Sequence, residues 1–181
     1  MQITVDGYVA SDDGSLDWMI AGSDKNVIDR VIEIADDSGT IIMGRKMSVD
    51  FLKTWEDMVN SKDEKNSEYG IATRMVKTEK VIFSKTLRDT NGKNARVENG
   101  DLKVKVAELK QQPGKDILVY GGATFASNLI KEGLVDEYFF FVNPSAIGDG
   151  MKIFDGNVKL KLISSKTYAN GIVENHYKPD R

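Results

Sequence analysis

The chain has 181 residues, enough to bury one sizeable core, so a single domain spanning 1–181 is expected. It carries 25 Lys and Arg against 28 Asp and Glu, a net charge of −3 with the signs mixed throughout, and so offers no concentrated basic face for nucleic acid. The absence of cysteine excludes disulfides and thiolate chemistry, the lone His176 cannot build a two-histidine zinc site, and without a membrane-length apolar run or a secretory signal a cytoplasmic protein is expected, with no membrane or metal partner.

In chain order, Ile3 to Val9 alternates weakly and reads as a strand, followed by the turn-rich Ser11-Asp12-Asp13-Gly14-Ser15. From Asp24, a candidate N-cap, Val27, Ile28, Val31, Ile32, Ile34 and Ala35 recur at helical spacing and predict a helix ending near Gly39. Thr40 to Met43 is a short apolar run closed by glycine, as in a strand buried on both faces of a parallel sheet, and a second helix starts near Lys46. Ser61 to Ser67 is polar and unpatterned. A helix around Ile71 to Val76 then precedes the buried strand Val81-Ile82-Phe83, and Asn91-Gly92 signals a turn.

Leu102, Val106 and Leu109 carry a helical period that Pro113-Gly114 stops before the strand Ile117 to Tyr120. Phe125, Leu129 and Ile130 make the next helix. Tyr138 to Val142 has the unbroken apolarity of a central strand, and Leu160 to Tyr168 pairs with Ile172 to Tyr177 as a hairpin around Asn170-Gly171. Strands alternating with helices, then consecutive strands, predict an α/β fold: a mainly parallel central sheet with an antiparallel C-terminal edge and helices on both faces. Ligands of such sheets sit beyond the carboxyl ends of the strands, where two glycine motifs fall.

In the first of these, Ile41-Ile42-Met43-Gly44-Arg45-Lys46, a strand ends in glycine and two cations open a helix. Free N–H groups and the helix dipole favour an anion there, and Arg45 can grip a phosphate with two hydrogen bonds; the plainer reading is a tight turn with solvated cations. In the second, Val119-Tyr120-Gly121-Gly122-Ala123-Thr124, the glycines permit close approach to a pyrophosphate and Thr124 can donate a hydroxyl, against a packing glycine pair. Phe83-Ser84-Lys85-Thr86 adds hydroxyls and a cation after a third strand, against an ordinary polar loop.

The segments Val5-Asp6-Gly7-Tyr8-Val9-Ala10, Asp13-Gly14-Ser15-Leu16-Asp17-Trp18, Ile42-Met43-Gly44-Arg45, Tyr120-Gly121-Gly122-Ala123, Gly133-Leu134-Val135-Asp136-Glu137 and Gly148-Asp149-Gly150 complete the picture. In this order and spacing the chain resembles the dihydrofolate reductase superfamily, specifically the branch containing the reductase domain of riboflavin biosynthesis, over nearly its whole length. The resemblance implies a dihydrofolate reductase-like three-layer fold and NADPH as cofactor. It implies that Gly44, Arg45 and Lys46, with Ser84 or Lys85, meet the 2′-phosphate side, that Gly121, Gly122, Ala123 and Thr124 cradle the pyrophosphate, and that residues around Val9 flank the nicotinamide. The Asp12 to Leu16 loop resembles a flap over cofactor and substrate, and Gly148 with Gly150 shapes a turn near the pocket.

Asp6 and Trp18 are the substrate-side candidates. A carboxylate at Asp6 could bond a substrate hydroxyl or ring nitrogen, against a turn-forming Asp-Gly, and Trp18 could line the pocket or the core. Folate reductases carry an acid in the first helix; Asp24 lies nearby without matching that pattern, so the expected hydride acceptor is a pterin-like, pyrimidine-like or carbonyl compound other than dihydrofolate. No catalytic side chain is assigned. The rival reading is a non-enzymatic NADPH- or nucleotide-binding protein of the same fold. The resemblance also implies that relatives often pair, so the Phe139 to Phe141 run serves either the core or a homodimer contact.

Overall fold

The computed structural model describes residues 1–20 and 24–180. The first half of the chain runs β1 (Gln2–Thr4), α1 (Lys25–Asp36), β2 (Ser38–Gly44), α2 (Arg45–Ser61), α3 (Tyr69–Lys77) and β3 (Glu79–Phe83). There follow β4 (Ala95–Glu98), α4 (Leu102–Lys110), β5 (Asp116–Val119), α5 (Ala123–Lys131), β6 (Tyr138–Asn143), β7 (Leu160–Thr167) and β8 (Val173–Pro179). Backbone contacts gather these into two compact units, Met1–Val27 with Ala123–Arg181, and Ile28–Gly122.

The Ile28–Gly122 unit is built on a parallel ladder in the order β4-β3-β2-β5. Ile41, Met43 and Ile82 bury one face of it against Ile28 and Ala35 of α1, Phe51 and Trp55 of α2, and Ile71, Ala72 and Met75 of α3. Ile42 and Val81 have the opposite parity and are also buried, so both faces of β2 and β3 are covered. This is why those strands read in sequence as unbroken apolar runs. Lys80 interrupts the pattern yet is only 1% exposed. Its ammonium donates to the carbonyls of Met75 (2.8 Å), Val76 (2.9 Å) and Thr78 (2.7 Å), closing the C-terminal end of α3. Asn94, in the left-handed region at φ 51°, adds Nδ2 bonds to the Val76 and Lys77 carbonyls.

The other unit holds the ladder β1-β6-β8-β7, parallel between β1 and β6 and antiparallel at β6–β8 and β8–β7. The expected α/β class with mainly parallel pairing and an antiparallel C-terminal hairpin is therefore present, carried as two four-stranded ladders. Asp24 caps α1 as its spacing suggested, accepting from the Asn26 N–H at 2.8 Å.

Three local expectations change. The first strand stops at Thr4 rather than continuing to Val9, because the Asp6-Gly7 turn intervenes: Gly7 sits at φ 90° with its N–H on the Thr4 carbonyl, and Thr4 Oγ1 accepts from the Tyr8 N–H at 2.9 Å. Tyr120 lies beyond β5 rather than in it. Strand β4 was not foreseen, since as a half-exposed edge it carries the mixed Ala95-Arg96-Val97-Glu98 and no apolar run. Among the described residues no helix is long and apolar enough to cross a membrane.

Candidate functional site

The registers of the parallel ladder bring three chain segments to one edge of the Ile28–Gly122 unit. Gly44 pairs with Phe83 and Ile42 with Val119, so β2, β3 and β5 run out together. Gly44 ends β2 and Arg45-Lys46 open α2, Ser84-Lys85 follow β3, and Gly121-Gly122 follow β5 after Tyr120. The three motifs that sequence reading singled out one by one are thus assembled in one unit by the pairing itself.

The helix at this edge is open to an anion. Gly44, the N-cap of α2, is extended at φ −84° and supplies no side-chain cap, which leaves the first-turn N–H groups available. Arg45 and Lys46 stand in that first turn, exposed, and Lys85 is exposed as well. None of the three makes an ion pair among the described residues. Ser84 Oγ accepts from the N–H groups of Thr86 (3.1 Å) and Leu87 (2.8 Å), so its hydroxyl proton remains to be donated.

The two glycines differ in what holds them. A Cβ on Gly121 would come within 3.0 Å of Met47 Cε, so a packing contact suffices to explain that residue. Gly122 sits at φ 90°, a conformation that side chains rarely adopt. Behind them Tyr120 packs edge-on against Phe51 (5.1 Å between ring centres) and Trp55 (6.1 Å), anchoring the start of the glycine segment. Ala123 and Thr124 open α5 in the other unit.

The substrate-side candidates all lie in the unit of β1 and β6. Asp6 is exposed and its Oδ2 accepts from the N–H groups of Ile147 (3.1 Å) and Gly148 (2.8 Å). Hydrogen bonds from the Thr4 side chain and from the Gly148 amide hold this carboxyl below its usual range. Val9 donates its N–H to the Met151 carbonyl at 2.9 Å, and Met151 returns one to Ala10 at 2.8 Å. The loop after β1 is thereby laced to the loop containing Gly148 and Gly150. Trp18 is buried at 8% exposure and its indole N–H has no partner among the described residues.

Asp24 is held below its usual carboxyl range chiefly by the Asn26 backbone N–H. Its bonds define a helix cap, with no proton kept near neutrality for transfer. The Asp12 to Leu16 segment folds on itself, with Ser15 N–H on Asp13 Oδ1 (2.8 Å) and Gly14 N–H on the Ser11 carbonyl (2.9 Å). His176 sits 2.7 Å from Glu137 and stacks on Phe139. Among the described residues no cluster of acids and histidine could hold a metal ion.

Sequence reading missed Asn143, which is wholly buried. Its Oδ1 accepts from Ile20 N–H (3.0 Å) while Nδ2 donates to Gln2 Oε1 (2.8 Å) and the Phe141 carbonyl (3.1 Å). Ser145 Oγ adds a bond to the Trp18 carbonyl at 3.2 Å. One amide thus ties β1, β6 and the Trp18 segment together. An asparagine closing the apolar run Phe139 to Val142 was the available signal.

Comparison with known proteins places the chain by family and fold. The Bacillus subtilis (strain 168) protein YyaP, described as uncharacterized, is 29% identical over 177 residues, covering 96% of this chain and 89% of its own. A putative riboflavin biosynthesis protein from Shewanella sp. PV-4 superposes with a TM-score of 0.74 at 22% identity, over 100% of this chain and 97% of that one. A Thermotoga maritima diaminohydroxyphosphoribosylaminopyrimidine deaminase/5-amino-6-(5-phosphoribosylamino)uracil reductase superposes with a TM-score of 0.67 at 16% identity, with 98% of this chain covering 54% of that longer one. The RibD C-terminal domain model matches residues 1–174, and the chain therefore belongs to the RibD C-terminal domain family.

Proposed function

We propose that the protein is an NADPH-dependent reductase that delivers hydride to a small planar nitrogen heterocycle, pterin-like or pyrimidine-like, or to a carbonyl compound. Membership in the RibD C-terminal domain family supports a reductase-type function. The observation that carries the reading further is the edge of the parallel ladder, to which the strand register brings an uncapped helix start, the exposed residues Arg45, Lys46 and Lys85, and the unspent Ser84 proton. A helix start and four side-chain donors of this kind suit a phosphate-bearing dinucleotide, and Gly122 leaves the backbone there bare of side chain.

When bound, NADPH supplies the hydride, and the protein's part is to bind, orient and shield. Arg45 and Ser84 grip the 2′-phosphate; Lys46 and Lys85 add charge. Gly121 and Gly122, continued by Ala123 and Thr124, bind the pyrophosphate. Val9 flanks the nicotinamide, and Asp6 and Trp18 are the substrate-side residues. Asp6 acts by holding the 147–148 turn, and Trp18 is buried with its indole N–H unpartnered among the described residues. With both Asp6 and Asp24 committed to backbone N–H groups, neither serves as a general acid near neutrality.

The same absence of a poised acid favours the second reading, a nucleotide-binding protein without turnover. Fluorescence titration with NADPH and NADH, followed by cofactor oxidation with a panel of pterins, pyrimidines and carbonyls, separates the two. NADPH preference with oxidation by one class is the expected result. Preference without any oxidation selects the binding protein, and equal affinity for both dinucleotides removes the phosphate assignment.

A further inference from the structure

The loop that presents Ser84 and Lys85 is shaped by a residue that no motif marks. Asn99 follows β4, next in the ladder to β3, and its side-chain amide reaches back across the strand ends. Nδ2 donates to the Ser84 carbonyl at 2.5 Å and to the Leu87 carbonyl at 2.8 Å, clamping both ends of one turn. The Ser84 N–H is fixed from the same side by the Glu98 carbonyl at 3.1 Å. Inside the turn, Ser84 Oγ takes the N–H groups of Thr86 and Leu87. These bonds occupy the lone pairs of the hydroxyl and leave only its proton free, which makes Ser84 a donor alone.

We infer that Asn99 is a positioning residue for 2′-phosphate recognition: it sets the Ser84–Leu87 turn so that the Ser84 hydroxyl and the Lys85 side chain face a phosphate rather than a sugar hydroxyl. This rests on the reading that the edge of the ladder binds NADPH. A free phosphate dianion has acceptors and no need of donors in return, whereas a ribose 2′-hydroxyl also has a proton to place. A serine locked as donor, beside a lysine, therefore discriminates between them. Asn99 touches no ligand itself. It acts through the two carbonyls it holds, and since it is exposed its bonds add little to overall stability.

The test uses Asn99→Asp, which keeps the shape but turns two donors into a carboxylate facing two carbonyl oxygens. NADPH affinity should fall about tenfold, the loss of one charge-assisted hydrogen bond, while NADH affinity stays within about twofold. In a Ser84→Ala background the same change should have almost no further effect, because both act through one contact. Circular dichroism and thermal melting check that each variant is folded; if Asn99→Asp does not fold, Asn99→Ser, which is too short to bridge the two carbonyls, replaces it in the same comparison. Equal weakening of NADPH and NADH, or additive losses in the double variant, would overturn the inference. A parent protein that does not distinguish NADPH from NADH would instead overturn the cofactor reading on which it rests, and the two failures are told apart by the unmutated titration alone.

Discussion

Single side chains in this protein divide between those that await a ligand and those already spent on the backbone. Arg45 belongs to the first kind: exposed and without an ion pair, it loses nothing internal on truncation, so Arg45→Ala should leave thermal stability unchanged within about 0.5 kcal/mol. On the proposed NADPH reading its guanidinium would contact the 2′-phosphate, a bond of roughly 1.5–3 kcal/mol, so the expected NADPH-over-NADH preference should fall by about one to two orders of magnitude in titration. Lys80 is the opposite. Burial pushes its ammonium down to about 8 from an ordinary value of 10.5, while three carbonyls hold it in place. Between those two values the unfolded chain binds the extra proton, so the parent's stability should rise as pH increases from 8 toward 10. Lys80→Met strands the Met75 and Thr78 carbonyls, costs about 1–3 kcal/mol at neutral pH and abolishes that rise. Urea unfolding of both proteins across this range makes the comparison.

At the level of elements, two loops in the β1–β6 unit behave as one. The Ala10–Met151 bridge, the Val9 to Met151 bond and the Asp6 carboxylate on the Ile147 and Gly148 amides lace them together. Gly150, at φ 149°, sits where any Cβ would collide with the Ala10 carbonyl oxygen of the bridge itself. Gly150→Ala should therefore cost about 2–4 kcal/mol, through backbone strain and loss of the bridge. Gly156 has a comparable φ of 107° but nothing within 4 Å of a built Cβ, and Gly156→Ala should cost about 1 kcal/mol. Equal melting temperatures for the two variants would count against the lacing. The Asp6 link carries its own pH signature. Its carboxyl titrates below the ordinary 3.8, so its contribution is complete above that value and disappears as pH falls through the lower folded one. Acid unfolding of Asp6→Asn should accordingly be less steep than that of the parent. The elements themselves were legible wherever burial imposed a period, as in α1, β2, β3, α4, α5 and β6, whereas the β7–β8 hairpin, with β7 largely exposed, was marked by its Asn170-Gly171 turn. Strand β4 and the early end of β1 were not, because an edge strand needs no apolar run and a turn decided by one hydroxyl, Thr4 Oγ1, leaves none.

For the molecule as a whole, the proposed reductase reading turns on the hydride acceptor. Asp24 is occupied as the α1 cap and so does not serve as a folate-type acid; on the proposed reductase reading, dihydrofolate should be reduced far more slowly than a pyrimidine-like or carbonyl acceptor. NADPH consumption followed with both classes under identical conditions decides it, and rapid dihydrofolate turnover would reverse the assignment. By itself the sequence determined the α/β class, most helices and strands, the Asp24 cap and the three motifs of the candidate nucleotide edge, because each is written in local periodicity, in glycine or in a short run of charge. Only the tertiary structure decided that Gly44, Ser84 and Gly121 follow strands ending in register, that Asp6 is committed to the 147–148 turn, and that Lys80, Asn99 and Asn143 are hubs. The Lys80 ammonium bonds only to near neighbours, but the Asn99, Asn143 and Asp6 outcomes depend on partners up to 142 positions away in the chain, and hydrogen bonds at such separations leave no spacing for sequence reading to detect.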